Sequence, residues 1–180
     1  MRKAILPIMI LSLLFGSIIF AQEIELSGPG LTPDSPFYFF DALGEKISLF
    51  FTFDPAKKAE KAFQYAGEKL AEVKGMAEAN KIEALKKAGQ KYQEYLAIFF
   101  EKGGEAYEVG KDVTELEKTS KRKSLDYLIT LSDTYDQATE EAKVEIEKIR
   151  NVSREFFGET IWSLHEKRMK ELREEKMREE

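Results

Sequence analysis

The chain has 180 residues, no cysteine, and a formal net charge of −5 at pH 7. The missing thiols exclude disulfides, cysteine nucleophiles, thiolate zinc sites, iron–sulfur clusters and a lipidated cysteine. The Lys and Arg residues alternate with Glu and form no basic block. Since an acidic chain of this kind repels phosphate backbones, we expect no nucleic-acid binding.

The N-terminal segment is typical of an exported protein. Arg2 and Lys3 are followed by the uncharged, apolar run Ala4–Phe20. Its 17 residues are slightly long for the core of a signal peptide and slightly short for a transmembrane helix. Either reading places the following domain outside the cytoplasm, as a periplasmic, cell-surface or secreted protein.

Residues 1–21 are therefore predicted to be a signal peptide or an uncleaved anchor. Ala21 suits the last position before a signal-peptidase cut, so cleavage is expected between Ala21 and Gln22. Because residues 1–21 contain two basic and no acidic side chains, their removal would change the net charge from −5 to −7.

Residues 22–34 form a predicted linker, since glycine and proline interrupt it and no apolar period survives there. A short helix is predicted from Ser35-Pro36 to about Phe51, because Ser is a favoured N-cap and Pro is tolerated at the first helical position. This helix and its exit are unusually aromatic.

Four longer amphipathic helices follow, predicted over residues 55–78, 81–108, 112–135 and 138–178. The first begins at Asp54-Pro55, and its apolar residues recur every three or four positions, as on one face of an α-helix. Its opposite face, which includes Glu68 and Glu72, is expected to lie in solvent.

Several residues mark possible ends or interruptions of these helices. Gly103-Gly104 is a possible kink or early stop, Gly110 suits a helix C-cap, and Thr119-Ser120 interrupts the apolar pattern of its helix. Asn80 can end one helix or cap the next. The glycines inside helices each cost about 1 kcal/mol relative to Ala, which close helix–helix approach could offset; they are Gly67, Gly75 and Gly89.

No segment alternates apolar and polar residues with the period of a β-strand. The predicted fold is all-α: an antiparallel bundle of four long helices plus a short aromatic N-terminal helix. The bundle domain is assigned to residues 35–164. Residues 165–180 are mostly charged and are predicted to be a helical C-terminal extension.

Four segments resemble domain-of-unknown-function family 5667. They are Leu31–Tyr38 (LTPDSPFY), Leu43–Ile47 (LGEKI), Phe53–Glu60 (FDPAKKAE) and Ala66–Glu72 (AGEKLAE). The resemblance is specific over residues 31–72, continues in helix lengths to about residue 155, and is not traced further. It implies an exported or membrane-anchored prokaryotic protein with a helical fold, and it implies no activity and no functional residues.

No catalytic or metal-binding motif stands out. Ferritin-like di-iron bundles need His three residues after Glu, but Trp162 stands three residues after Glu159. His165, the only histidine, and Met169 could share a soft metal ion, although an exposed His on a charged helix is the simpler interpretation. We therefore predict no enzymatic activity, no cofactor and no metal.

The carboxylates and the one glycosylation triplet are interpreted in the same way. The acidic residues lack the spacing and central glycine of an EF-hand, so they are expected on solvated helix surfaces. Asn151-Val152-Ser153 matches the N-glycosylation pattern, but its predicted helical context argues against modification.

The aromatic cluster around the short helix is the candidate interaction surface. Its rings could plug the end of the bundle, or they could stay exposed and bind a partner helix or an apolar ligand. They are Phe37, Tyr38, Phe39, Phe51 and Phe53.

The sequence favours a non-enzymatic, extracytoplasmic helical-bundle protein that acts as a protein-interaction or envelope-associated module. Its expected partners are envelope proteins that the sequence does not identify. Membrane contact is expected only through residues 1–21, if they are uncleaved, and the oligomeric state is left open. The alternative is a carrier that sequesters an apolar ligand or a metal ion in the bundle.

Overall fold

A computed structural model describes residues 32–179, with side chains after residue 158 described only at Lys170, Glu174, Met177 and Arg178. The predicted signal segment, the Ala21–Gln22 cleavage site and most of the 22–34 linker lie outside the described residues. Every regular element between residues 32 and 179 is a helix, which confirms the all-α prediction. The helices are α1 (Tyr38–Phe50), α2 (Pro55–Glu78), α3 (Ile82–Glu108), α4 (Thr114–Gln137) and α5 (Glu140–Glu179).

The two predicted proline-containing helix starts have different outcomes. The Asp54 side chain accepts a hydrogen bond from the Lys57 amide and Pro55 occupies the first turn, so α2 begins where the sequence predicts. The Ser35 hydroxyl instead accepts from the Phe37 amide at 3.2 Å, within a turn. The prediction that α1 begins at Ser35-Pro36 is therefore wrong, and α1 begins at Tyr38.

Residues with positive φ end α2 and α3. Asn80 has φ 51° and Gly110 has φ 74°. The amide that follows each of them donates back into the helix: Lys81 to Met76 at 2.9 Å, and Lys111 to the carbonyl of Ala106 at 2.9 Å. These bonds satisfy carbonyls that would otherwise be left without partners. Asn80 therefore ends α2, and Gly110 has its predicted capping role.

The helical bundle is built around an apolar interior shared by α2, α3, α4 and α5. Helices α2 and α5 each pack against both α3 and α4. Aromatic rings join the helices, with the Phe63 ring centroid 4.5 Å from that of Phe99 and 5.2 Å from that of Tyr127. Close approach occurs at Gly67 and Gly89, where a Cβ would lie about 2.5 Å from Tyr127 and Ile149 respectively, but not at Gly75.

The continuity of the long helices differs from the prediction. Helix α3 continues through Gly103-Gly104, so the possible early stop there is wrong, and α4 continues through Thr119-Ser120, within the helix predicted there. The prediction of one continuous helix over 138–178 is also wrong, because α5 is broken at Gly158 (φ 75°, ψ 168°). Only glycine adopts this conformation readily.

None of the helices between residues 32 and 179 combines the length and the hydropathy needed to cross a membrane.

Candidate functional site

A buried ionic cluster joins α1 to α2. Lys69 on α2 is fully buried. Its ammonium nitrogen lies 2.7 Å from the Glu45 carboxylate of α1, 2.6 Å from Glu72 of α2 and 3.5 Å from Asp41 of α1. The Tyr95 hydroxyl of α3 donates to the other oxygen of Glu45 at 2.5 Å. The polar side of α1 is therefore turned toward the protein.

Burial and hydrogen bonding shift the pKa values of the groups in and beside this cluster. Burial alone would lower the pKa of Lys69, but its hydrogen bonds to Glu45 and Glu72 outweigh that effect and raise the pKa above the ordinary value. Burial raises the pKa of Glu72, and it also raises the pKa of the neighbouring Glu68. One cation thus neutralises part of a group of carboxylates held in a poorly solvated site.

The opposite side of α1 and its flanks form an exposed apolar surface, which we call the aromatic surface. Six of its phenylalanines are exposed by 62% or more. It consists of Phe37, Phe39, Phe40, Leu43, Ile47, Phe50, Phe51 and Phe53. Since an aromatic side chain has about 150–250 Å² of surface, the six rings together expose several hundred Å² of apolar area, the scale at which exposed apolar surface marks interaction sites.

Four of the five predicted interaction residues lie on this surface. Phe37, Phe39, Phe51 and Phe53 are exposed, so these rings do not plug the end of the bundle. Tyr38 is half-buried and faces the ionic cluster, with the Lys69 nitrogen 5.1 Å from its ring centroid. The structure thus divides the predicted set between the two sides of α1.

The prediction also missed residues on both sides of α1. Phe40, Leu43, Ile47 and Phe50 complete the aromatic surface at helical spacing, a signal that the sequence contains. Glu72 was expected in solvent, but it is 1% exposed. The spacing of apolar residues identifies a helix face without saying which way that face points.

A second feature is a cavity of about 920 Å³ between the C-terminal half of α3 and the N-terminal half of α4. Its wall is mostly apolar, and Gly103-Gly104 leaves room in it because a Cβ at either position would meet nothing within 4 Å. The lining residues are Phe99, Phe100, Gly103, Gly104, Tyr107, Val113, Leu116, Glu117, Ser120, Lys121, Arg122, Ser124, Leu125 and Phe157.

Within residues 32–179, no three described His, Asp or Glu side chains are placed to hold a metal ion. The side chains of His165 and Met169, the pair considered for a soft metal, lie outside those described. In the glycosylation triplet, Ser153 is buried, and its hydroxyl lies 2.8 Å from the Ile149 carbonyl and 3.1 Å from the Tyr92 hydroxyl. This hydroxyl contributes to packing between α3 and α5.

Comparison with known proteins identifies a family for this chain. The model of a family described as a domain of unknown function (DUF5667) matches residues 30–179. No curated protein and no solved structure matches the chain. The family match continues well beyond residue 155, where the resemblance traced by sequence patterns ended.

Proposed function

The chain belongs to the DUF5667 family, and from that premise we propose that it is a non-enzymatic, exported helical-bundle domain that associates with the cell envelope through α1. The four long helices in this proposal form an antiparallel bundle, with α1 as a short aromatic helix beside it. The short connections at residues 79–81, 109–113 and 138–139 support that topology.

The observation that carries the proposal is the orientation of α1. In a helix that only completes a bundle, the apolar side faces the core. Here the ionic cluster around Lys69 fixes the polar side inward, so the aromatic surface faces outward. Exposing six phenylalanines is unfavourable unless another apolar phase covers them.

We assign lipid as the occupant of the aromatic surface, which departs from the expectation that membrane contact is confined to residues 1–21. Lys46, beside Ile47, is the one charged residue among the exposed positions of α1, in a chain whose net charge is −5. A helix with Phe and Leu on one side and a polar opposite side suits the boundary between head groups and acyl chains. The contact would depend on apolar burial and little on charge, because an acidic protein is not attracted to anionic lipids.

The position of α1 in the chain supports the same occupant. If Ala4–Phe20 is retained as an anchor, α1 is the first helix after it. Residues 21–37 span at most about 60 Å when fully extended, so the anchor would keep α1 close to the bilayer surface. The domain would then hold the membrane at two places, through the anchor and through α1.

The test uses nitroxide labels, since the chain has no cysteine and a single introduced thiol labels one site only. The full chain with Ile47→Cys, labelled and reconstituted into phosphatidylcholine vesicles, is compared with Lys148→Cys on α5. We expect the label at position 47 to collide frequently with oxygen and rarely with a water-soluble nickel complex, and the label at 148 to show the reverse.

A second labelled variant, with a less apolar aromatic surface, tests whether lipid is what covers position 47. Adding Phe39→Ser and Phe50→Ser should return the label at position 47 to water. Equal nickel accessibility at 47 and 148 would refute the proposal. So would shielding of position 47 from both reagents with spin–spin coupling between copies, because a second copy of the chain would then be the occupant.

The alternative function, a carrier of an apolar ligand, is supported by the cavity between α3 and α4. Its volume falls within the range of about 300–1,000 Å³ that is usual for small-molecule sites. Its apolar wall suits a hydrocarbon group. None of its lining residues belongs to the aromatic surface, so substitutions can test the two functions separately.

A further inference from the structure

We infer that the cavity between α3 and α4 binds a single-chain amphiphile with an anionic head group. The inference rests on the carrier function proposed above and names its ligand class. It does not depend on lipid contact by α1.

The cavity lies between two helices, α3 and α4, that do not pack directly against each other. These two helices are consecutive in the chain, but their packing partners are α2 and α5 rather than each other. Phe99 of α3 and Phe157 of α5 form the deep part of the wall, as both are nearly buried. A hydrocarbon chain placed against these rings would leave water without requiring any polar partner.

The rim of the cavity supplies positive charge. Lys121 and Arg122 line it, both are exposed, and neither forms an ion pair among the described residues. Other lysines on the helices do form ion pairs, such as Lys118, which bonds Glu115 at 2.8 Å. One acidic residue, Glu117, also lines the cavity, so the lining has a net charge of +1.

Charge complementarity therefore selects the ligand class. An apolar wall with Lys121 and Arg122 at its mouth fits a hydrocarbon chain that ends in a carboxylate or a phosphate. Arg binds either group through paired N–H donors, and Lys binds either as a point charge. A neutral alcohol would gain only the apolar contacts, and a cationic amphiphile would be repelled at the mouth.

The chain offers a pair of matched variants for filling the cavity. Gly104 lines the cavity, and a side chain there would not meet an existing atom, since nothing lies within 4 Å of its Cβ position. Gly75 on α2 is equally open but does not line the cavity. Gly104→Leu should therefore block the site, while Gly75→Leu makes the same chemical change elsewhere.

The experiment uses photocrosslinking, because labelled positions can be mapped even where other parts of the full chain bind amphiphiles. Dodecanoate and dodecyl phosphate carrying a terminal diazirine are compared with the corresponding alcohol and trimethylammonium compounds. We expect both anions to label cavity residues at least fivefold more than the alcohol. We also expect Gly104→Leu to remove this labelling and Gly75→Leu to leave it unchanged.

The charge requirement is tested with Lys121→Gln/Arg122→Gln, against Lys118→Gln/Lys148→Gln as a control of equal charge change. The first variant should reduce labelling by the anions to the level of the alcohol, and the control should not. Equal labelling by anion and alcohol in the unmodified chain would overturn the inference but leave the carrier function standing. Absence of cavity labelling by every probe would overturn both.

A difference between the two anions identifies the source of the ligand. Stronger labelling by dodecanoate points to free fatty acids, and stronger labelling by dodecyl phosphate points to lipids with a phosphate head group. Either result supports the inference, since both probes share the anionic single-chain chemistry.

Discussion

Helix α2 makes two contacts of opposite character. Toward the interior of the bundle it presents apolar residues such as Phe63, Ala66 and Leu70, all nearly or fully buried. Toward α1 it presents Lys69 and Glu72, which are equally buried. Apolar packing has no preferred direction. A hydrogen-bonded ion pair, in contrast, forms only when the two charged side chains face each other. The ionic contact therefore fixes which side of α1 faces outward, and the apolar contact supplies the cohesion of the bundle.

The largest expected effect on the free energy of unfolding comes from truncating a phenylalanine inside the bundle rather than one on the aromatic surface. Phe63→Ala should lower the free energy of unfolding by about 3–5 kcal/mol, because it opens a cavity among packed rings. Phe50→Ala, on the aromatic surface, should change it by no more than about 0.5 kcal/mol. Urea unfolding measures both. A loss at position 50 that approaches the loss at 63 would mean that the aromatic surface is packed within the protein.

The next largest effect is expected at the ionic contact. Lys69→Met leaves Glu45 and Glu72 buried without a cation, which costs up to about 3–5 kcal/mol. When α1 separates from α2, the two carboxylates become solvated and this cost disappears. Amide hydrogen exchange should therefore accelerate across α1, while α3 keeps its protection.

A variant without charges provides the control for that result. Glu45→Gln/Lys69→Met/Glu72→Gln removes the partners together and should restore much of the protection of α1, since no uncompensated charge remains. Unchanged exchange of α1 amides in Lys69→Met would show that the ionic cluster does not hold α1.

A smaller effect is expected where α2 approaches α4. Gly67→Ala would place its Cβ 2.4 Å from the Tyr127 hydroxyl, which also donates to the Phe63 carbonyl at 3.1 Å. We expect a loss of about 1–3 kcal/mol. Gly75→Ala meets no neighbour and should instead stabilise the chain by about 1 kcal/mol. Thermal unfolding compares the variants, and the same sign at both positions would contradict the proposed close approach.

The smallest effect is a pH dependence beside the ionic cluster. Burial, with a contribution from Glu45, raises the pKa of Glu68 above its ordinary value of 4.5. A carboxyl with a raised folded-state pKa favours folding below pH 4.5, and this contribution is lost as the pH rises through the folded pKa.

Glu68→Gln should therefore be more stable than the unmodified chain at pH 7, by less than about 1 kcal/mol. The difference should shrink below the folded-state pKa and vanish well below pH 4.5, where Glu68 is protonated in both states. Glu60→Gln, at an exposed position of the same helix, serves as the control. Unfolding curves at a series of pH values measure the difference, and a stability gain that persists at pH 3 would contradict this explanation.

The bounds of α2 could be predicted because their causes are local. Asp54-Pro55 supplies the cap and the first turn, and the apolar period runs without interruption to Ala77. The break at Gly158 could not be separated from the other helical glycines in this way. Glycine permits positive φ, but whether the chain adopts it depends on tertiary packing.

The outward orientation of α1 was also beyond prediction from periodicity. The period of apolar residues locates an apolar stripe on a helix, and that stripe is ordinarily assumed to face the core. The deciding residue was Lys69, which stands one residue before the core residue Leu70 and draws Asp41 and Glu45 inward. A lysine beside the apolar stripe of one helix, with carboxylates at helical spacing on a neighbouring helix, is a signal that could have been used.

The contact between Gly67 and Tyr127 also determines how α2 and α4 align along their length. Two packed helices keep one axial alignment only where their side chains interlock. A shift of one turn along α2 would bring the Tyr127 hydroxyl against Phe63 or Ala71, and both carry a side chain where Gly67 has none. The missing methyl group at Gly67 therefore disfavours both neighbouring registers and helps to fix the alignment of α2 with α4.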